Sequence, residues 1–432
     1  MMFGGVFRGP PPKVDILVDA REGKFRRTQF FGFGVNTGGS DNSVQCSNRT
    51  GVGWFGDSLE CYLGYQDDEV DVRKRFEVMK EAVETARNLE KDDDKETLKV
   101  FIAPEFFWRG PNGAYDAASI LKNDEYHLDE FNAISEICEE LENLVKDKKY
   151  EHWLFVFGTI IAASRNDLTV DDNFLFFNFA PILQGGPKGK RMLAPKEYVS
   201  SIDFLRPPSA NQSPSSTKAN VTSSSSSSTA VPWAFDVTDS DLSGKHHYDF
   251  DLWEELSEYL EIERGYELVR RNFFAVENVR FTLEICLDHA AGEAQRNFLK
   301  KGGGVRHDIH PADVSLISSA GMQIIDKNLI LKDGGVVYHQ DGLYNRTSDA
   351  RRRLMIDLPE KEKEADEKTS DEILDAAGTL FKLETMEPEE VVELWGGDHE
   401  RIEEKMLQLF FLKKTTIPRI VKYAKKDLPA IN

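Results

Sequence analysis

The chain has little cysteine, a deficit of positive charge and no long apolar run, and each shortage removes a class of protein. Its 432 residues hold four cysteines, Cys46, Cys61, Cys138 and Cys286. Their spacing fits neither a zinc site nor a compact disulfide framework, which points to a reduced, intracellular chain. Lys and Arg number 54 against 75 Asp and Glu, a net charge of −21. Nucleic-acid binding needs a basic stripe to neutralise phosphates, and docking on anionic lipid needs the same, so neither nucleic acid nor membrane is an expected partner. No apolar segment reaches the roughly 18 residues of a membrane-spanning helix. The opening stretch MMFGGVFRGPPPKVD lacks a basic region followed by an apolar one, so no secretory signal is expected and the cytoplasm is the expected compartment. Apolar residues make up 40%, enough for a sizeable core. At about 150 residues per domain, the length allows two to three domains or one domain enlarged by insertions.

The pattern is one of alternating strands and helices. Phe30-Phe31-Gly32-Phe33-Gly34-Val35-Asn36 is short, apolar and closed by glycines, as a buried strand is. Residues 37–66, rich in Gly, Ser, Asn and Asp, predict a loop. Val72, Phe76, Met79, Val83 and Ala86 then recur on one helical face, and Leu98 to Ala103 is a strand apolar but for Lys99. Such a β-α-β unit implies a largely buried sheet. A second unit follows: a helix over 129–148 with Phe131, Ile134, Ile137, Leu141 and Leu144 on one stripe, strands over 153–162 and 174–183, and a hairpin turn at 185–190. Serine supplies ten of the 26 residues at 207–232, which predicts a disordered insertion. Further strands are expected over 279–287, 314–318 and 336–344. Beyond 350 the chain reads as charged helix, with a solvated linker at 360–368 and an apolar stripe of Ile402, Met406, Leu409 and Phe410 that must pack on something.

Three residues at strand ends carry chemistry. Glu105, ringed by Pro104, Phe106, Phe107 and Trp108, would be desolvated, which raises a carboxyl pKa toward general-base work near neutrality. Lys196, among apolar neighbours, suits oxyanion stabilisation or the lowering of a thiol pKa. Cys286 ends a strand where parallel-sheet enzymes keep reactive groups, and Asp288 and His289 after it either tune the thiol or pair with backbone amides. Each has a plain alternative: a solvated strand-end glutamate, a surface lysine with its stem on the core, an inert buried cysteine.

In combination the three segments resemble the nitrilase superfamily, the carbon–nitrogen hydrolases. The matching elements are Phe101-Ile102-Ala103-Pro104-Glu105, Pro195-Lys196 and Glu284-Ile285-Cys286-Leu287-Asp288, in that order. Asn178-Phe179-Ala180-Pro181-Ile182 looks like the family's strand before the lysine hairpin, and residues 313–320 look like the strand after the nucleophile. The resemblance covers residues 28–345 and leaves 350–432 as a charged helical C-terminal extension. It implies an α/β fold, an α-β-β-α sandwich of two face-to-face sheets with helices outside. It implies a Glu-Lys-Cys triad: Cys286 attacks an amide or nitrile carbon, Glu105 takes and returns protons, and Lys196 stabilises the tetrahedral intermediate with help from the Leu287 amide. A thioester forms, ammonia or an amine leaves, and water releases the acid. No metal and no organic cofactor is needed. A small-molecule amide or nitrile substrate, a homo-oligomer formed through a helical face, and a substrate wall drawn from Phe107, Trp108, Leu287 and His289 are expected with it.

The chain also departs from the family. The Lys196-to-Cys286 interval is lengthened by the serine-rich and acidic stretches from about 207 to 266. A second glutamate after the lysine falls to Glu197 or Asp203. His289-Ala290-Ala291-Gly292 replaces the usual Arg-Phe-Pro pattern. Two other readings stay open: an inactive binding or scaffold protein keeping the fold, and a cysteine protease built on Cys286 and His289. His246-His247 and His307-x-x-His310 have no second ligand pair and read as surface, Gly302-Gly303-Gly304 reads as a flexible turn, and Arg351-Arg352-Arg353 reads as a solvated patch.

Overall fold

The computed structural model describes residues 24–38, 63–65, 67–92, 94–110, 113–117, 131–165, 174–198, 259–261, 263–299, 309–343, 348–355, 373–374, 380–406, 409–410 and 417–429. The predicted insertion at 207–232, Asp203, His246-His247 and the 302–304 glycines lie outside these residues.

Alternation along the strands sorts the side chains into layers. The first strands are β1 (Arg27–Gly34), β2 (Thr97–Ala103), β3 (Tyr115–Asp116), β4 (Trp153–Phe157), β5 (Ile160–Arg165), β6 (Phe174–Gln184), β7 (Arg191–Pro195) and β8 (Glu267–Leu268). Then come β9 (Phe273–Val276), β10 (Val279–Ile285), β11 (Ala312–Ser319), β12 (Leu331–Asp341), β13 (Ser348–Met355), β14 (Ile373–Leu374) and β15 (Leu380–Thr385). The last are β16 (Pro388–Glu393), β17 (Arg419–Tyr423) and β18 (Lys426–Asp427). The helices are α1 (Asp68–Leu89), α2 (Ala133–Val145), α3 (Leu287–Ala291), α4 (Glu293–Phe298) and α5 (His399–Met406). One sheet runs β16-β17-β1-β2-β4-β6-β5-β3, with β18 beside β1 and β7 and β8 branching from β6; the other runs β14-β15-β13-β12-β11-β10-β9.

Even positions of β1 and β2 (Phe30, Leu98, Val100, Ile102) and of β4 (Leu154, Val156) meet Phe281, Leu283, Ile285, Val314, Leu316, Val336 and Tyr338 of the second sheet. Their odd neighbours, Phe31, Phe33, Phe101, Phe155 and Phe157, face the helices. Period-two alternation therefore builds one aliphatic layer between the sheets and one aromatic layer under the helices. Gly32 lies at the closest approach, where a Cβ would run into Ser348 and Gln340 of the facing sheet. Helix α1 is capped by Asp67, whose side chain accepts from the Val70 amide. Its buried face carries Val72, Met79, Val83 and Ala86, while Phe76 is only partly buried. Asn132 caps α2 in the same way. Among the described residues the outer face of the second sheet is covered by short helices: Phe273, Ala294 and Phe298 form one small cluster there, and Ile317, Leu331 and Val337 another. The fold is thus an α/β sandwich of two sheets between helical layers of unequal thickness.

The region after 350 corrects the expectation of charged helices. Among the described residues it is mainly strand, with α5 its longest helix. Alternation is the missed signal: Arg419-Ile420-Val421-Lys422-Tyr423 puts Ile420 under the helices and Val421 and Tyr423 between the sheets. Strand β17 pairs with β1 antiparallel and so lies inside the first sheet. The acidic edge strand β16, Pro388-Glu389-Glu390-Val391-Val392-Glu393, carries the proline and charges that discourage further pairing. Arg351–Arg353 are no solvated patch: Arg351 pairs with Asp326 and Asp349, and Arg353 is buried over Phe381. Shortening the fully buried Ile420 to Ala removes core contacts from a sheet strand, and should cost about 2–4 kcal/mol, read as a lower urea midpoint with unchanged slope.

Candidate active site

Strand β2 ends at Ala103, and the turn that follows is stitched down on both sides. The Glu105 carbonyl accepts from Thr37 Oγ1 at 2.6 Å, and the Phe106 amide donates to Thr159 Oγ1 at 2.9 Å. Trp108 and Ile161 exchange further backbone bonds with this stretch, Trp108 N to Thr159 O and Ile161 N to Trp108 O. The single strand expected over 153–162 is broken at Gly158-Thr159 for this purpose. Gly158 has φ +73°, and a Cβ there would strike the Pro104 carbonyl. Phe106 itself is held at φ +65°, a conformation that is strained for an L residue and persists where its surroundings over-determine it.

This turn delivers the Glu105 side chain to Lys196, which follows directly on β7. Lys196 Nζ donates to Glu105 Oε1 at 2.9 Å, and both side chains are fully buried. Asn178 Nδ2, on β6, donates to the same oxygen at 3.0 Å, and the Asn178 carbonyl accepts from the Lys196 amide at 2.9 Å. The ion pair is thus charge-assisted and reinforced by a neutral donor.

Cys286 follows β10 with φ +48°, ψ −105°. Its amide donates to Ser318 O at 3.0 Å, and its carbonyl accepts from His289 N as α3 begins at Leu287. Ser318 Oγ donates to Ala103 O at 3.1 Å, joining the end of β11 to the end of β2 two residues before Glu105. On the other side the Asp288 carboxylate accepts from the Glu197 and Tyr198 amides, just past Lys196. The Glu105, Lys196 and Cys286 turns therefore converge on one end of the sandwich, at the C-terminal ends of their strands.

His289, Phe107 and Trp108 do not join them, which corrects the expected substrate wall. The His289 ring is fully buried on the outer side of the second sheet. Its Nε2 accepts from the Ile325 amide at 2.8 Å, so the proton sits on Nδ1 and is donated to Glu284 Oε2 at 2.6 Å. Both nitrogens are thus engaged, and Glu284 Oε1 also takes the Ala294 amide of α4. Phe107 packs on Phe33 and Phe410, and Trp108 Nε1 donates to the Phe157 carbonyl, so both belong to the helix-side core. Phe106 is the aromatic that matters: its ring centroid lies 5.7 Å from Lys196 Nζ and 3.6 Å from the Arg109 guanidinium carbon. Phe106 and Arg109 also line a narrow recess with Asn36, Thr37, Arg75 and Phe410. Asn178 and the Gly158-Thr159 break were missed at the level of sequence. The signals were a lone amide inside an apolar strand and a glycine interrupting another.

A Ser-His-Asp grouping lies near the ends of β11 and β12, and its hydrogen-bond directions exclude a second nucleophile. Ser319 Oγ donates to Asp341 Oδ2 at 2.7 Å, so His339 Nε2 must donate to Ser319 rather than take its proton. Burial holds His339 low, at about 4, and the Asp341 carboxylate is spent on the Gly321, Met322 and Leu343 amides.

Glu197, one of the two candidates for a second glutamate, has its carboxyl pushed up to about 8 by burial and by Glu293 beside it. A raised carboxyl favours the protonated form in the folded state. Its stabilising contribution is complete below the ordinary value of 4.5 and disappears as pH rises through about 8. The wild-type melting temperature should therefore fall across this window more steeply than that of Glu197→Gln, and equal slopes in calorimetry would refute the assignment.

No family model matches the chain, and none of the curated proteins does. Among solved structures it is similar to Saccharomyces cerevisiae Nit3, a branch 10 member of the nitrilase superfamily, at 10% identity over 93% of this chain and 90% of that one, with a TM-score of 0.34. An amidase from Nesterenkonia sp. is 9% identical over 77% of this chain and 84% of its own, with a TM-score of 0.29. Glutamine-dependent NAD+ synthetase from Acinetobacter baumannii is 10% identical over 75% of this chain and 41% of its own, with a TM-score of 0.30.

Proposed function

We propose that the chain is a cysteine-dependent hydrolase of non-peptide carbon–nitrogen bonds, acting on small amides or carbamoyl compounds in preference to nitriles. The observation that carries this reading is the buried Lys196–Glu105 pair, 2.9 Å apart, hydrogen-bonded through its flanking segments to the Cys286 turn. Glu105 takes the Cys286 proton as the sulfur attacks the carbonyl carbon. Lys196 and the Leu287 amide stabilise the oxyanion. Glu105 returns the proton to the departing nitrogen, ammonia or an amine leaves, and a thioester remains. Glu105 then draws a proton from water, which attacks the thioester and releases the acid and the free thiol. The site works in the cytoplasm of a homo-oligomeric protein on this reading, and the chemistry calls for no metal.

The runner-up, an inactive binding or scaffold protein, is favoured by the burial of the three side chains, of which Cys286 is 4% exposed and the other two fully covered. A cysteine protease would need a free His289 nitrogen at Cys286, but one nitrogen bonds Glu284 and the other the Ile325 amide. Cys286→Ala should abolish ammonia release from small amides, and unchanged release would end the hydrolase reading. In the wild type, iodoacetamide at neutral pH should label Cys286 far faster than Cys138, whose thiol burial pushes up to about 12. Slow, uniform labelling would support the scaffold.

A further inference from the structure

Asp288 is fully buried, two residues beyond the nucleophile, yet nothing in the proposed chemistry uses it. Its Oδ1 accepts from the Tyr198 amide at 2.8 Å, and both oxygens accept from the Glu197 amide at 3.1 Å. The donors are backbone groups one and two residues past Lys196, so they fix the path of the chain rather than a side chain. The helix that carries Asp288 is pinned from its other side. Asn328 Nδ2 donates to the His289 and Ala290 carbonyls at 2.6 and 3.2 Å, and the Ile325 amide donates to His289. Gly292, at φ +66°, ends the helix against Asn328, whose Oδ1 would lie 3.1 Å from any Cβ there. The Cys286 turn is thus anchored to the second sheet while Asp288 reaches across to the end of β7 in the first.

We infer that Asp288 is a positioning residue, a strut that sets Lys196 against Cys286 by holding the two turns at one hydrogen-bonded spacing. The inference rests on the hydrolase reading for its catalytic meaning and on geometry alone for its existence. The groups around it agree. Burial pushes the carboxyl up, while Lys196 and the two amides favour the carboxylate and Glu197 opposes it. On the outer side, the Tyr198 hydroxyl accepts from Arg296, and Arg296 pairs with Glu293. The oxygens of Asp288 accept from the amides of the Lys196 turn, which is the geometry of a brace.

The test compares full-length wild type with Asp288→Ala and Asp288→Asn. Amide hydrogen exchange at 197 and 198 reads the strut directly, whether or not the chain is an enzyme. Both amides should be protected in wild type and lose protection in Asp288→Ala. Alkylation of Cys286 by iodoacetamide across pH reads the consequence. Loss of the strut withdraws the lysine and should raise the apparent thiol pKa, slowing alkylation at neutral pH by about tenfold. If the side chain acted only through its charge, its removal would lower that pKa or leave it unchanged, and alkylation would not slow. Ammonia release should lose about tenfold or more in kcat with little change in KM, and Asp288→Asn, which keeps one acceptor oxygen, should recover much of it. Unchanged protection, or wild-type or faster alkylation, in Asp288→Ala overturns the strut. If Asp288→Ala does not fold, the same readouts are taken on Asp288→Leu, which fills the space without offering an acceptor, and the same outcomes decide. A wild type that releases no ammonia counts against the hydrolase reading alone, and the exchange result still decides the strut.

Discussion

Everything at this end of the molecule depends on a carboxylate and an ammonium kept together out of water. Burying two charges costs several kcal/mol apiece, and their attraction repays it only with good geometry and further hydrogen bonds. Glu105 and Lys196 meet both conditions at 2.9 Å, with Asn178 supplying the extra donor. Because an unpaired buried charge is so unfavourable, three strand ends far apart in sequence must hold their places. The stitches around Glu105, the shared bonds of Asn178 and Lys196, and the two positive-φ residues, Phe106 and Cys286, are the local means. Strain at those two positions is tolerable only because the bonds on either side over-determine it.

The sandwich explains why these groups sit at a rim. Between the sheets the space is filled by aliphatic side chains and by the stack of Phe30 on Tyr338 and Tyr423, with ring centroids 4.8 and 5.3 Å apart. Tyr338 also shares a 2.7 Å hydrogen bond with Thr28 across the two sheets. Such an interior leaves no room for a reacting group. Room opens where parallel strands end and the chain turns: β2 runs parallel to β1 and β4 toward this end, and β10 runs parallel to β11. Side chains just beyond those ends escape the close packing without losing rigid support.

The parts of this arrangement that were legible in the sequence are those written in short-range pattern. Helical spacing of Val72, Met79, Val83 and Ala86 follows from periodicity, the strands β1, β2 and β10 from short apolar runs, and the hairpin at 185–190 from its turn residues. The order of Glu105, Lys196 and Cys286 follows from motif. Partnership was not legible. That Asp288 reaches the amides past Lys196, or that His289 turns to Glu284 and away from the rim, depends on which face of a five-residue helix meets which sheet. The strands after 350 were hidden by charge: Arg419, Lys422 and the glutamates of β16 made a two-residue alternation resemble a solvated helix. Aromatic identity also misled, since Phe107 and Trp108 look the same in sequence whether they line a cleft or a core.

The C-terminal segment belongs to the site for a reason that joins these strands to the glutamate turn. Arg75 of α1 is buried and spends its guanidinium on Asp71, on the Leu63 carbonyl and on the Phe107 carbonyl, at 2.7, 2.7 and 2.9 Å. Asp71 in turn takes the Tyr115 hydroxyl and the Tyr65 amide. The face of that guanidinium is covered by Phe410, 4.9 Å away, which also packs on Phe107. The glutamate turn is therefore held from two directions, by the Gly158-Thr159 break on the sheet side and by Arg75 on the helix side. The apolar stripe of Ile402, Met406, Leu409 and Phe410 closes the second hold. A buried arginine keeps its geometry when water is kept from competing for its hydrogen bonds, and here that exclusion comes from residues more than 300 positions further along the chain.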